Sequence, residues 1–296
     1  MIQRLPAALA ALCVSFLLSA CGTPEQKPVL VFSAIPDQDE AHLMQRFGKV
    51  ANYLSEKLDI DVRYVPVKSY SAAVTAFRNN EVQLAWFGGF SGVQATQLVP
   101  GSYAIAQGVE DPQYLSYFIA HHSSGIPYNN TVTGDGFPDG MEGRSFTFGS
   151  KSSTSGRLMP EFFLREQFGR SPEDIFSRVG FSGDHSATIA LVQSGAYELG
   201  ALSYKVWLRE VAEGKVDLNK VNVVWVTPPY PDYHWVIRGD VDQRFGAGFA
   251  DRVQQALLDL NDREILDAFP RESFIPATNE DFLPVLETAR SLGLMD

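Results

Sequence analysis

SFTFGSKSSTSGRL, residues 145–158, holds the pattern from which the fold can be read. Ser145 to Phe148 alternates polar and apolar side chains, the period of a half-buried strand. Gly149 ends that strand, Ser150 to Gly156 is a hydroxyl-rich turn, and apolar helical spacing resumes at Leu158 and reaches about Phe168. Serine and threonine favour helix N-termini because their side-chain oxygens accept the first free amide N–H groups. Such a turn gathers unpaired amides, hydroxyls and the positive end of a helix dipole around one point, which makes an anion site. Gly156 is followed by Arg157-Leu158 and not by Lys-Ser/Thr, so the turn is not a nucleotide P-loop. Micromolar binding takes about 8 kcal/mol, and four to six charge-assisted hydrogen bonds of roughly 1.5–3 kcal/mol each supply it, with part of the sum consumed by association. A serine-rich cap that binds nothing would have the same composition.

The same order of strand, turn and helix recurs on both sides. Upstream, Pro28 to Ser33 reads as a strand, and Asp39 to Leu58 as a helix with Leu43, Phe47, Val50, Leu54 and Leu58 on one face. Asp61 to Pro66 is a second strand, followed by a short helix carrying Ala73, Val74 and Phe77. Val82 to Trp86 is a third, followed by the Gly88-Gly89 turn and a helix over Ser91 to Gln97. Downstream come a strand near Phe176 to Phe181, a helix from about Ala187 to Ser194, a strand over Glu198 to Leu202 and a helix over Lys205 to Ala212. Alternation at this length predicts mainly parallel sheets covered on both faces. Gln113 to His121, and Val221 to Arg238 with its Pro228-Pro229 break, read as two crossovers between the series. Amphipathic helices around Phe249–Leu260 and Phe282–Leu292 are expected to pack back on the first series. The expected organisation is therefore one lobe over residues 28–115 and 230–296 and a second over residues 116–229.

The chain begins with one basic residue, Arg4, an apolar run from Ala7 to Leu18, and then Leu18-Ser19-Ala20-Cys21. Spanning a bilayer takes about 20 apolar residues. This shorter run suits a signal-peptide core, and its last four residues match a bacterial lipobox in which Cys21 is acylated. Residues 1–20 are expected to be a signal peptide and residues 21–27 a tether, with the protein periplasmic and membrane-anchored through Cys21 alone. The other cysteine, Cys13, lies in the signal, so no internal disulfide is available and the core must carry the fold. The net charge of −11 speaks against a nucleic-acid partner. It does not forbid a small anion in a closed cleft, because the global field is screened beyond about 8 Å. No HExxH, CxxC, Gly-x-Ser-x-Gly or dinucleotide fingerprint is present, and neither a metal nor a cofactor is expected.

Four stretches, SSTSGRLMP (152–160), FSAIPDQDEA (32–41), VKSYSAAVTAFRNNEVQLAWFGG (67–89) and GDHSATIALVQSGAYELGAL (183–202), together resemble the periplasmic phosphonate/phosphite-binding family of ABC transport. The resemblance runs in the right order over nearly the whole mature chain, and within the family it points to the selenate-binding branch. It implies a two-lobed α/β fold of the type II periplasmic-binding-protein class, each lobe a mainly parallel sheet flanked by helices, with two crossover strands as hinge and the ligand between the lobes. It also implies that Ser153, Thr154 and Ser155 hold an oxyanion, that Tyr70 reaches in from the first lobe, and that His185 donates from the second.

Two departures from the family pattern bear on the ligand. Phe90-Ser91-Gly92 stands where many members carry a tyrosine, so Gly92 is expected to open space or expose backbone to the ligand. Ser203-Tyr204 stands where members often place a carboxylate, so these hydroxyls are expected to donate instead. A pocket lacking that acceptor would favour a fully deprotonated selenate or sulfate over an aminoalkylphosphonate, unless Asp184 supplies it. The implied partners are the small oxyanion and the ABC permease and ATPase, with a monomeric receptor that works by hinge closure and is no enzyme. Two other readings are an enzyme on the same scaffold, for which only His185 with Asp184 is available, and an anion-sensing module.

Overall fold

The computed structural model describes residues 28–38, 40–128, 136–267 and 269–295. The expected signal peptide, tether and Cys21 lie outside the described residues. Eleven strands are present among those described: β1 (Leu30–Ala34), β2 (Val62–Tyr64), β3 (Leu84–Phe87), β4 (Tyr103–Gly108), β5 (Ser116–His121), β6 (Ser145–Phe148), β7 (Arg178–Phe181), β8 (Leu199–Ser203), β9 (Val221–Val226), β10 (His234–Ile237) and β11 (Phe274–Pro276). They form a six-stranded sheet in the order β11-β4-β10-β3-β1-β2 and a five-stranded sheet in the order β7-β6-β8-β5-β9.

Each sheet is mixed. β2, β1 and β3 pair in parallel, as do β7, β6 and β8. The strands next to the crossovers run the other way: β10 is antiparallel to β3 and β4, and β5 is antiparallel to β8 and β9. The α/β fold class stands, while the mainly parallel sheets inferred from alternation are parallel only in their helix-connected portions. Antiparallel pairing needs no helical crossover, so these strands carry no alternation signal.

The chain passes between the sheets twice, from β4 to β5 and from β9 to β10. At the crossing Tyr114 and Tyr230 exchange both backbone hydrogen bonds, at 2.9 and 3.0 Å. β1 is buried along its whole length, as expected of a strand with helices on both faces. An aromatic cluster of Phe32, Phe47, Trp86, Trp235, Phe269 and Phe274 fills the first lobe. The second lobe has a separate core on each face of its sheet, one around Phe118, Phe146 and Trp225 and the other around Ile119, Val192 and Leu202. Leu158 and Met159 of the second lobe are buried in the first lobe's core, so the start of that helix is seated against the opposite lobe.

Candidate functional site

The hydroxyl-rich turn is itself helical. Thr154–Leu158 forms one wide π-type turn that continues into the helix Met159–Phe168. Ser153 caps it, accepting the Gly156 N–H at 3.0 Å, while the Leu158 N–H reaches back to the Ser153 carbonyl at 3.0 Å. A helix cannot satisfy its own first amides. With that of Gly156 taken by the cap, those of Thr154 and Ser155 have no protein acceptor among the described residues, at the positive end of the helix.

The first lobe closes over this turn through a second helix start. Gly88 and Gly89 follow β3 and open the helix Gly89–Leu98. Phe90 N–H donates to Thr154 Oγ1 across the cleft at 2.9 Å, and Gly89 N–H donates to Asp232 Oδ1 at 2.8 Å. A methyl group on Gly88 would lie 3.2 Å from both Asp232 Oδ1 and Thr154 Oγ1, so the missing side chain lets two lobes and the hinge meet at one place.

Tyr70 begins the helix Tyr70–Arg78, capped by Ser69, and is 1 % exposed. Its hydroxyl lies near Ser153 without reaching hydrogen-bonding geometry. Burial, reinforced by the carboxylates of Asp37, Asp184 and Asp232, holds its pKa well above the ordinary tyrosine value, so it is a donor at any physiological pH. His185 begins the helix His185–Gln193 and is fully buried. Its Nδ1 accepts the Ser203 N–H at 3.3 Å, which puts the proton on Nε2, 3.5 Å from the Tyr233 hydroxyl. Burial lowers its pKa to about 3, so it is neutral. The His185 N–H also crosses the cleft to the Asp37 carbonyl at 3.2 Å.

Three buried polar atoms in this assembly have no hydrogen-bonding partner in the protein: Tyr70 Oη, Ser155 Oγ and Asp232 Oδ2. They come from the first lobe, the second lobe and the returning crossover. Such atoms cost free energy unless something else satisfies them. Burial raises the Asp232 carboxyl to about 7, against the lowering effect of the Thr154 hydroxyl and the Gly89 N–H. Outside this sealed centre lies a cavity of about 570 Å³, lined by Lys68 and Ser69 of the first lobe and by Ser150, Lys151 and Asp184 of the second.

Of the residues expected from sequence, Tyr70, Ser153, Thr154, Ser155 and His185 come together here. Three others do not. Gly92 packs under the buried His234 ring, where an added methyl would fall 2.3 Å from Nε2, so its smallness serves the first lobe's core. The Ser203 hydroxyl is engaged by Tyr114 at 2.5 Å and by Val206 N–H at 3.4 Å, and Ser203 meets the site through its backbone N–H, which donates to His185 Nδ1 at 3.3 Å. Tyr204 is partly buried and lies edge-on to Tyr114 with ring centroids 4.9 Å apart. Asp184 is occupied in capping its helix, accepting the Ala187 N–H at 2.7 Å.

Asp232, Tyr233 and Asp37 were missed. Tyr233 stacks on Trp86 and donates to Asp37 Oδ2 at 3.0 Å. Asp232 stands alone between prolines and aromatics in PPYPDYHW, residues 228–235, and a lone acid in so apolar a crossover is the one trace the sequence carries.

Residues 32–282 match the family model described as ABC transporter, phosphonate, periplasmic substrate-binding protein. A probable ABC transporter phosphite-binding protein of Prochlorococcus marinus (strain MIT 9301) is 39% identical over 286 residues, covering 94% of this chain and 95% of that protein. A solved structure of PhnD1 from the same organism, in complex with methylphosphonate, has a TM-score of 0.84 at 40% identity, over 90% of this chain and 99% of that one. The phosphonates-binding periplasmic protein of Escherichia coli (strain K12) is 24% identical over 74% of this chain and 63% of its own length. The family is one of substrate-binding components working with a permease and an ATPase, not of enzymes. A two-lobed α/β chain with a buried polar centre between two helix starts, matched over most of its length by that model, belongs to the periplasmic phosphonate-binding family of ABC transporter substrate-binding proteins.

Proposed function

We propose that the cleft captures a small tetrahedral phosphorus oxyanion that still carries a proton, of the phosphite or methylphosphonate kind. The observation that supports this is Asp232 Oδ2, a buried acceptor without a protein partner facing the hydroxyl-bearing turn. The preference for selenate expected from sequence rested on the lack of an acceptor at Ser203-Tyr204, and Asp232 offers one from elsewhere in the chain. A P–OH group can donate to that carboxylate while the remaining oxygens accept from the turn's amides, Ser155, Tyr70 and His185. Selenate and sulfate have no proton to give near neutral pH, so they can bond only to the protonated form of Asp232, whereas a P–OH anion also pairs with the ionised form.

The relatives bind, by their names, phosphite, methylphosphonate and phosphonates. The protein is read as a monomer held to the membrane through acylated Cys21, with closure over the anion as the state its permease recognises. The test is a calorimetric series with phosphite, methylphosphonate, phosphate, sulfate and selenate near neutral pH. We expect phosphite or methylphosphonate to bind at least tenfold more tightly than selenate, and Cys21→Ser to release the protein from the membrane fraction. Equal or tighter binding of selenate would overturn the assignment.

A further inference from the structure

The helix Tyr204–Ala212 of the second lobe, with its C-cap Glu213, carries Lys205, Arg209 and Glu213 at four-residue spacing. That spacing puts them on one helix face. Each meets opposite charge from the first lobe. Lys205 Nζ lies 3.0 Å from Glu110 Oε1, and Arg46 Nη2 lies 3.8 Å from Glu213 Oε1. Between them, Arg209 has both terminal nitrogens buried without a hydrogen-bonding partner. Burial raises the Asp37 carboxyl, and Arg209 is the strongest of the charges opposing that rise. The side chains of the two outer pairs are 19–33 % exposed, so solvent screens them only in part. Glu213 is shared: its other oxygen pairs with Lys215 of its own lobe at 2.8 Å.

Both ion pairs, and the attraction between Arg209 and Asp37, act between the two lobes. A rotation about the Tyr114–Tyr230 crossing changes their separations, whereas it leaves pairs within one lobe untouched. Arg46 and Glu213 take no part in the anion site. We propose that this stripe is a closure latch: its pairs form as the lobes shut, raise the population of the closed form and slow ligand release without touching the oxyanion. Arg46, Arg209 and Glu213 are thus positioning residues for binding, acting through the lobe equilibrium. The proposal rests on the reading that the ligand lies between the lobes.

The test uses the full mature chain with Arg46→Glu, Glu213→Arg and the double swap, probed with methylphosphonate by stopped-flow fluorescence and, without ligand, by small-angle scattering. Glu213→Arg brings a third positive side chain against Arg46 and Arg209 and should raise koff about fivefold with little change in kon, whereas Arg46→Glu, which also relieves its repulsion of Arg209, should raise koff less. The swap should restore koff, and 1 M NaCl should bring the single variants and the wild type together, since screening then acts over about 3 Å. In scattering, the ligand-free single variants should be more open than the wild type and the swap. Unchanged koff in the single variants, or a swap that fails to restore it, would overturn the latch. If the wild type bound none of the anions, the site assignment would fail, and the scattering comparison would still decide the latch.

Discussion

Asp232 concentrates the chemistry of the site in one side chain. One oxygen is fixed by the Gly89 N–H, the other is left open, and burial lifts its pKa from the usual 3.8 to about 7. In the unfolded chain the group is deprotonated above about 4, but in the folded chain it holds its proton to about 7. The folded state therefore binds more protons in that window, and this residue's contribution to stability falls as pH rises through it. His185 and His234, lowered by burial to about 3 and about 4, act in the opposite sense, so total stability conceals the effect. The difference between wild type and Asp232→Asn isolates it. Asparagine resembles the protonated acid and still accepts from Gly89, so the variant's melting temperature should gain on the wild type from pH 4 to pH 7 and level off above. Its methylphosphonate affinity should fall about tenfold or more, with loss of the acceptor for P–OH. A constant difference in melting temperature across that range would show that Asp232 titrates normally.

At the scale of the element, the turn Thr154–Leu158 shows how a helix start can offer a binding site. Its wide hydrogen bonding and the Ser153 cap leave the first amides without partners in the helix, and Gly149 N–H ties the turn's far side by donating to the Gly156 carbonyl at 2.8 Å. Gly156 is needed for closeness. A methyl group there would lie 3.0 Å from Ser153 Oγ and 3.1 Å from His185 Cε1, so the cap and the histidine would both have to move. Gly156→Ala should therefore cost about 1 kcal/mol of stability, the value of a lost cap, and at least tenfold in ligand affinity. Calorimetry and thermal melting together check this, and unchanged affinity would remove the turn from the site.

Across the whole molecule, one buried ion pair ties the first lobe's last strand region to the hinge. Arg271 and Asp111 are 3 % and 0 % exposed, with Nε to carboxylate distances of 2.9 Å and Nη2 to Oδ1 of 2.6 Å. Asp111 also accepts the Gly108 N–H at 2.7 Å, and its carbonyl accepts the Asp232 N–H at 3.0 Å, so the pair underlies the proposed acceptor of the cleft. Asp111→Asn leaves a buried guanidinium without its counter-charge, a loss of about 3–5 kcal/mol. A fall in melting temperature of roughly 10 °C is expected, and a fall under 2 °C would show that the pair is dispensable.

The helix-connected strands, the terminal helices that return to the first lobe, and the capped hydroxyl-rich turn were all legible in the residues, because local period and cap chemistry are properties of neighbours in sequence. β4 and β11 left no comparable signal, since their pairing is antiparallel and their partners lie far along the chain. Tyr70, Ser153 to Ser155 and His185 could be named because they stand in stretches that resemble the family, and the structure brings them together. Gly92, Ser203 and Tyr204 were misplaced because a glycine or a hydroxyl looks the same whether it meets a ligand or a neighbouring side chain. Asp232 and the Lys205-Arg209-Glu213 stripe acquired their roles only when the chain crossed twice between its lobes. Burial and opposing charge are set by residues 95 or more positions away, and no local pattern records them.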